Sequence, residues 1–271
     1  MLVFKGLPLA ESGGPVFGRR ASSLARVLMA RQPALVVVKL GGSHADVPAL
    51  RAAWLAAIAA ASGPVVLVPG GGPFADAVRA QQRPLGYDDA TAHDMALLAM
   101  AQYGLVLAAA PGFLPAATLA QIARALAAGL VPVWLPAAML ARARGVAKGW
   151  AVTSDSLALW LATRLGARAV LLVKRDAASP GLDDAFPGFH ARFPGEVRVA
   201  GAEHVPQRLD TAALPGRPLP RPDPHAAGQG RARPPAPAPS AEAPGASSIT
   251  VSGTSSVAPA VPHAVTVPAA A

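Results

Sequence analysis

Four apolar segments rich in valine and leucine constrain the fold of this 271-residue chain more than any other feature. They are the runs Leu35–Leu40, Val65–Pro69, Val131–Leu135 and Ala169–Lys174. Because apolar residues do not alternate with polar ones, these runs predict strands that are buried on both faces of a sheet. Helical patterns accompany them, at Pro48–Ala61, Phe74–Gln82, Ala90–Tyr103 and Ser154–Leu165. Strands that alternate with helices predict a three-layer αβα sandwich with a mainly parallel central sheet.

The composition changes twice along the chain and divides it into three parts. Residues 33–210 hold the predicted strands and helices, and are long enough for one domain with a substantial core. Residues 211–271 are rich in Pro, Ala, Gly and Ser, so they predict a disordered tail that buries too little apolar surface to offset its chain entropy. Residues 1–32 predict an N-terminal extension that is disordered or not translated, with Met29 as the alternative start.

Overall composition narrows the class of protein. The absence of cysteine excludes disulfide scaffolds, thiolate metal sites and cysteine nucleophiles, and it fits a cytoplasmic protein. Most of the net charge of +9 lies outside residues 33–210, which argues against a nucleic-acid-binding domain. Binding of RNA or DNA through the termini is the weakest alternative. No apolar run is long enough to cross a membrane, so we expect no membrane association.

Two glycine-rich segments directly follow the first two predicted strands. They are Gly41-Gly42-Ser43 and Gly70-Gly71-Gly72. Ligands bind at the carboxyl ends of parallel strands, and glycine lets the backbone N–H groups approach phosphate oxygens closely. Neither segment is a Walker motif or a G-x-G-x-x-G motif. Each alone could be a tight strand-to-helix turn, but the two together favour a phosphate site.

Three charged residues stand beside predicted strand ends or helix starts. Lys39 ends a buried strand, where its ammonium needs a partner, and this favours a functional role. Asp155, in Thr-Ser-Asp-Ser, could bind at a site or simply cap the helix that follows. Lys174 could be a second site cation or an exposed lysine at the end of a strand.

Taken together, three motifs resemble those of the amino acid kinase superfamily, which includes acetylglutamate kinase, aspartokinase, UMP kinase and isopentenyl phosphate kinase. They are Lys39-Leu-Gly-Gly-Ser, Val68-Pro-Gly-Gly-Gly-Pro-Phe-Ala-Asp and Thr153-Ser-Asp-Ser-Leu-Ala. Within the superfamily, the sequence resembles the [5-(aminomethyl)furan-3-yl]methyl phosphate kinases of methanofuran biosynthesis. That likeness rests on segments that begin Thr91-Ala-His-Asp, Gly149-Trp-Ala-Val and Leu182-Asp-Asp-Ala.

The sequence departs from the family at two places. Ala177 follows Asp176, where the family has glycine, and the basic stretch Arg142–Lys148 replaces an acidic one.

The resemblance implies an ATP-dependent kinase that uses Mg²⁺ and transfers the γ-phosphoryl group to a phosphomonoester. The acceptor would be a small phosphorylated metabolite on the route to a C1-carrier cofactor of the methanofuran or tetrahydromethanopterin type. One alternative is a kinase of the same superfamily that acts on a carboxylate, a nucleoside monophosphate or an isoprenoid phosphate. Another is a non-catalytic protein that binds nucleotides or oxyanions. Members of the superfamily commonly oligomerise, so we expect a homo-oligomer.

On this interpretation, the predicted site residues form three groups. The catalytic residues are Lys39, Asp155 and Lys174, with Asp155 also a candidate ligand of Mg²⁺. The residues predicted to bind the nucleotide are Gly41, Gly42, Ser43, Lys174 and Asp176. The residues predicted to bind the acceptor are Gly70, Gly71, Gly72, Arg79, His93 and Ser154.

Several of these residues have simpler explanations. Arg79 could lie on a solvated helix face, and His93 with Asp94 could cap the start of a helix. His44 is expected to be a lone exposed histidine. The tryptophans Trp54, Trp134 and Trp160 are expected in the core or in a subunit interface.

Overall fold

A computed structural model of the chain describes residues 35–222. The predicted extension over residues 1–32, the part of the predicted tail after residue 222 and the side chain of Ser43 lie outside the described structure. The strands are β1 (Val36–Leu40), β2 (Val65–Pro69), β3 (Phe113–Ala116), β4 (Val131–Trp134), β5 (Ala169–Lys174), β6 (Glu196–Gly201) and β7 (Arg217–Pro218). The α-helices are α1 (Pro48–Ala59), α2 (Gly72–Leu85), α3 (Asp89–Ala108), α4 (Leu119–Ala127), α5 (Ala137–Leu140), α6 (Ser154–Leu165) and α7 (Phe186–Arg192).

The strands form one seven-stranded sheet in the order β3-β4-β2-β1-β5-β6-β7. All neighbouring strands are parallel except β6 and β7, which are antiparallel. β1 therefore lies in the middle of the sheet between β2 and β5, and Lys39 is opposite Val68 and Leu172. This arrangement confirms the predicted fold class.

Helices cover both faces of the sheet, so alternate residues of each strand pack against different helical layers. On one face, Val37 belongs to a core that includes Leu157 of α6. On the other face, Val38 belongs to a core with Trp54 of α1. Trp134 is also buried, whereas the partly exposed Trp160 stacks on it with ring centroids 5.8 Å apart.

Helix boundaries agree best with prediction where a clear stop signal exists. α6 ends at Leu165 as predicted, since Gly166 adopts φ +63° and closes the helix. α3 runs to Ala108, beyond its predicted end at Tyr103, because Leu107 lies one helical turn after Tyr103 and is also buried. Among residues 35–222, no helix combines the length and apolar character that a bilayer span requires.

The predicted start of the tail at Thr211 is wrong, because residues 211–222 contact the domain. Thr211 is buried, and its carbonyl oxygen accepts a hydrogen bond of 2.9 Å from Nε of Arg168. Leu214 is buried in the core, and β7 pairs with the edge strand β6. A few individual buried residues and side-chain hydrogen bonds hold this segment on the domain, and it has no repeating apolar pattern. Composition therefore gave no sign that it is ordered.

Candidate active site

The structure brings Lys39, Asp155 and Lys174 together at the carboxyl ends of β1 and β5. Lys39 lies two residues after Val37, and Lys174 two residues after Leu172, so strand alternation places both ammonium groups on the face that α6 covers. Lys39 Nζ is 2.9 Å from Oδ1 of Asp155, and Lys174 Nζ donates to Oδ2 at 2.5 Å. One carboxylate in the first turn of α6 thus joins two neighbouring strands.

These three charged groups are almost completely shielded from solvent. The exposed fraction is 5% for Lys39, 3% for Asp155 and 9% for Lys174. Burial alone would raise the pKa of the Asp155 carboxyl, but the two ammonium groups outweigh it and hold that pKa below the usual value. Burial, together with the charge of Lys39, lowers the pKa of Lys174 although Asp155 opposes this. Two cations and one anion leave a buried positive charge that a phosphate oxygen can neutralise.

The geometry excludes the simpler explanations for two of these residues. Thr153 occupies the cap position of α6, and both carboxylate oxygens of Asp155 face lysines instead of helix amides. Lys174 is not an exposed lysine at a strand end. The catalytic roles assigned to the three residues stay predictions.

The two glycine-rich segments pack against each other beside this ionic cluster. The N–H of Gly70 donates to the carbonyl of Leu40 at 2.9 Å. A Cβ atom at Gly42 would lie 2.2 Å from the backbone nitrogen of Gly72, and one at Gly70 would lie 2.2 Å from the nitrogen of Gly42. Both positions therefore require glycine for steric reasons. Backbone amides of the two segments are consequently concentrated in one place.

A cavity of about 340 Å³ opens next to the glycine-rich segments. Of the predicted acceptor residues, Gly71, Gly72, Arg79, His93 and Ser154 line it. Gly70 does not line it, because it packs against Gly42. Gly42, which we predicted on the nucleotide side, also reaches the cavity wall. The cavity therefore begins where the two segments meet and extends between α2, α3 and the start of α6.

His93 lies inside α3, so the interpretation of His93 and Asp94 as helix caps is wrong. Asp88 caps this helix by accepting from the N–H of Thr91 at 2.7 Å, and the helix begins earlier than predicted. His93 is buried, with Nδ1 3.2 Å from the carbonyl oxygen of Gly149. Asp94 is exposed and pairs with Lys148 at 2.6 Å. Of the two residues, His93 lines the cavity.

Arg79 forms part of the cavity wall through a contact that the sequence did not reveal. Its guanidinium lies 4.3 Å from the centroid of the Trp150 ring and 3.2 Å from Oδ1 of Asp76. Trp150 is held in turn by a hydrogen bond of 2.7 Å from Nε1 to Gln82. Arg79 is more than half exposed, yet this stacking keeps its charge at the rim of the cavity.

His44 is buried, so the prediction of an exposed histidine is wrong. Its exposed fraction is 2%, and Nδ1 lies 2.9 Å from the carbonyl oxygen of Gly41. Burial lowers the pKa of this imidazole, and the nearby charges of Lys39 and Arg175 lower it further. The neutral ring therefore contacts the Gly41 peptide through Nδ1. His44 ends the short 3-10 turn Gly42–His44, a local turn that no periodic sequence pattern indicates.

The segment after β5 contacts the ionic cluster through the carbonyl of Gly181, which accepts from Lys174. Asp176 accepts from the N–H of Ala178 at 2.8 Å and so closes the turn itself. Arg217 donates to the carbonyl of Ala177 through Nη2 at 2.9 Å. Arg217 was not predicted at this position because it lies in the predicted tail. Four other residues that were missed are Asp46, Asp76, Trp150 and Asp183.

The described residues do not form a dedicated site for Mg²⁺. Both oxygens of Asp155 contact ammonium groups, which does not fit coordination of a metal by this carboxylate. Within residues 35–222, there is also no group of three or more His, Asp or Glu side chains that could hold a metal ion.

Comparison with known proteins identifies the family. Residues 34–178, more than half of the chain, match the amino acid kinase family. The chain belongs to this family. One curated relative is the [5-(aminomethyl)furan-3-yl]methyl phosphate kinase of Methanocaldococcus jannaschii, which is 31% identical over 125 residues. The aligned region covers 46% of this chain and spans only 56% of that relative.

Two solved structures resemble this amino acid kinase fold. The uridylate kinase of Archaeoglobus fulgidus has a TM-score of 0.50 and 17% identity, over 63% of this chain and 92% of that structure. The UMP kinase of Ureaplasma parvum has a TM-score of 0.49 and 15% identity, over 65% of this chain and 90% of that structure. At such identities, the likeness to the first structure supports the fold alone.

Proposed function

We propose that this protein is an ATP-dependent kinase that phosphorylates a small phosphomonoester. The observation that supports this most is the buried cluster of Lys39, Asp155 and Lys174 at the meeting point of two glycine-rich segments. Phosphoryl transfer depends mainly on charge neutralisation and positioning, and a buried pair of ammonium groups beside clustered backbone amides supplies both. Membership of the amino acid kinase family supports the same conclusion.

In this proposal, each charged group has a separate task. Lys39 contacts the transferring phosphoryl group, and Lys174 neutralises charge on the nucleotide phosphates. Asp155 keeps both ammonium groups in place. An oxygen of the acceptor phosphate forms a bond to the γ-phosphorus while the bond from that phosphorus to the ADP oxygen breaks. The acceptor is already ionised, so the reaction needs no general base.

The cavity suggests the class of acceptor. Its wall combines the apolar side chains of Leu97 and Met100, the indole of Trp150 and the carboxylates of Asp46 and Asp76. A flat ring that carries both a methyl phosphate and an ammonium group would fit such a wall. The M. jannaschii relative is named for [5-(aminomethyl)furan-3-yl]methyl phosphate, which has these groups. We propose this acceptor class, and hence a place in the biosynthesis of a C1-carrier cofactor.

An ADP-release assay with a panel of acceptors tests the proposal. The panel holds the aminomethyl furan phosphate, the same compound without its amine, isopentenyl phosphate, UMP and N-acetylglutamate, each with ATP and Mg²⁺. We expect the fastest ADP release with the aminomethyl compound and a diphosphate product in the phosphorus NMR spectrum. Release that no acceptor raises above the rate with ATP alone would overturn the kinase, and equal rates with and without the amine would overturn the acceptor class.

A non-catalytic nucleotide-binding protein is the second candidate, and Ala177 favours it because the family has glycine there. It predicts ATP binding by calorimetry without transfer to any acceptor. The expected homo-oligomer stays a prediction, which light scattering on the purified protein would test.

A further inference from the structure

Asp183 makes a dense set of hydrogen bonds to the start of α6. Its Oδ2 accepts from the backbone N–H of Thr153 at 2.9 Å, from the Thr153 hydroxyl at 2.8 Å and from the N–H of Ser156 at 3.1 Å. Its Oδ1 accepts from the hydroxyl of Ser156. Every one of these donors belongs to the first turn of α6 or to its cap residue.

This carboxylate does what the side chain of a cap residue normally does. Thr153 occupies the cap position, but its hydroxyl donates to Asp183 and makes no cap hydrogen bond to the helix. Asp183 instead accepts from Ser156, three residues after the cap, where an ordinary cap side chain would bind. Its negative charge also suits the positive end of the helix dipole. A residue from the loop after β5 thus fixes the position of α6.

The same loop also contacts the buried ionic cluster. The carbonyl of Gly181 accepts from Lys174 Nζ at 3.3 Å, and the N–H of Ala185 donates to the carbonyl of Ala151 at 2.9 Å. Asp155 lies between Thr153 and Ser156, the two residues that Asp183 holds. The loop therefore fixes both partners of the ion pair between Asp155 and Lys174.

We propose that Asp183 is a positioning residue for phosphoryl transfer: it holds the first turn of α6 so that Asp155 can bridge Lys39 and Lys174. The role in catalysis rests on the proposed kinase function, whereas the role in holding the ionic cluster does not. A shift of about 1 Å in such a site can lower turnover about 100-fold.

The kinetic test compares two adjacent aspartates. Asp183→Asn keeps the size of the side chain but removes its charge and turns an acceptor into a donor that faces other donors. We expect kcat to fall about 10- to 100-fold, while the KM values for ATP and acceptor change far less. Asp184→Asn is the control, because Asp184 is exposed and makes no hydrogen bond or ion pair to any residue in 35–222. It should keep the wild-type kcat.

A chemical test needs no enzymatic activity. Acylation of lysines, followed by peptide mass spectrometry, reports how well each ammonium group is shielded. We expect Lys39 and Lys174 to react several-fold faster in Asp183→Asn than in the wild type or Asp184→Asn. The exposed Lys148 should react equally in all three proteins and thus serves as an internal standard.

The outcomes separate the two claims. If acylation is faster in Asp183→Asn and the wild-type protein has no kinase activity, the structural role is supported and the proposed function is refuted. Wild-type kcat together with wild-type acylation in a folded Asp183→Asn variant would overturn the positioning role. If that variant does not fold, Ser156→Ala removes one of the four hydrogen bonds and should give the same changes at smaller size. Ser156→Ala without either change would also overturn the proposal.

Discussion

The two sides of the glycine-rich segments differ in how they hold charge. On one side, the ammonium groups of Lys39 and Lys174 are buried against a single carboxylate. On the other side, Arg79 and Asp76 line an open cavity, and more than half of each side chain is exposed. Charges in the first region are desolvated and strongly coupled, whereas water screens those in the second.

This difference suggests a division of labour. In a buried cluster, removal of one partner leaves an unpaired charge and affects both folding and chemistry. At the cavity wall, a single replacement changes contacts to a ligand at little cost in stability. We therefore expect substitutions on the two sides to change different measured quantities.

The largest effect is expected from Lys39→Met, which removes the cation closest to the proposed reacting phosphorus. Loss of such a charge should lower kcat by about 1,000-fold or more in the ADP-release assay. Lys148→Met is the matched control, because Lys148 is about half exposed and pairs only with Asp94 in the part of the chain that the structure describes. Near-normal turnover by Lys39→Met would remove the proposed mechanism.

Gly42→Ala tests the contact between the two glycine-rich segments. This contact lies between the buried ionic cluster and the open cavity. The new Cβ atom would meet the backbone of Gly72 at 2.2 Å, so the segments must move apart. We expect urea unfolding to show a loss of about 1–3 kcal/mol, with activity lost as well. Gly188→Ala is the control, since its Cβ would meet only Arg192 Nη1 at 3.9 Å. Equal stability of both variants would contradict the close packing.

Arg79→Ala tests the cavity side. Loss of its charge and of its stacking on Trp150 should raise the KM for the acceptor about tenfold and leave kcat and the KM for ATP nearly unchanged. Arg83→Ala, on the same helix but away from the cavity, should behave like the wild type. A fall in kcat instead would show that the two sides are not separate.

The smallest expected effect is a shift in acid stability. The folded-state pKa of Asp155 is below its unfolded value of about 3.9, so its contribution to stability is present above that value and is lost as the pH falls through the folded pKa. Lys39→Met removes one cation that lowers this pKa, so the acid loss of stability should be smaller and should be complete at a higher pH than in the wild type. Urea midpoints measured from pH 3 to 6 would detect the shift, and parallel curves for the two proteins would count against the coupling.

Sequence patterns predicted the elements that carry strong local signals. β5 and α6 have their predicted limits, since one is a continuous apolar run and the other ends at a glycine. The short strand β3 contains Pro115 and two exposed residues, so it carries no comparable signal. Side chains alternate between the two faces along β1 and β5, and this alternation together with the motifs explains why Lys39, Asp155 and Lys174 converge.

Other parts of the site depend on contacts between distant segments. The stacking of Arg79 on Trp150 and the hydrogen bonds of Asp183 to α6 join residues that are far apart in the chain. Arg217 reaches the turn after β5 from a proline-rich segment whose composition predicts disorder. The burial of His44 likewise depends on one local turn that no periodic pattern reveals.

The contact between Gly42 and Gly70 has a consequence for how acceptor choice can evolve. It is made by backbone atoms alone, so the spacing between the two proposed phosphate positions does not depend on any side chain of α2 or α3. In the proposed kinase, mutations on those helices would reshape the cavity for a new acceptor, while the distance between the two phosphate positions would stay constant. Such a kinase would change its acceptor by single substitutions on α2 and α3 and keep its phosphoryl-transfer chemistry.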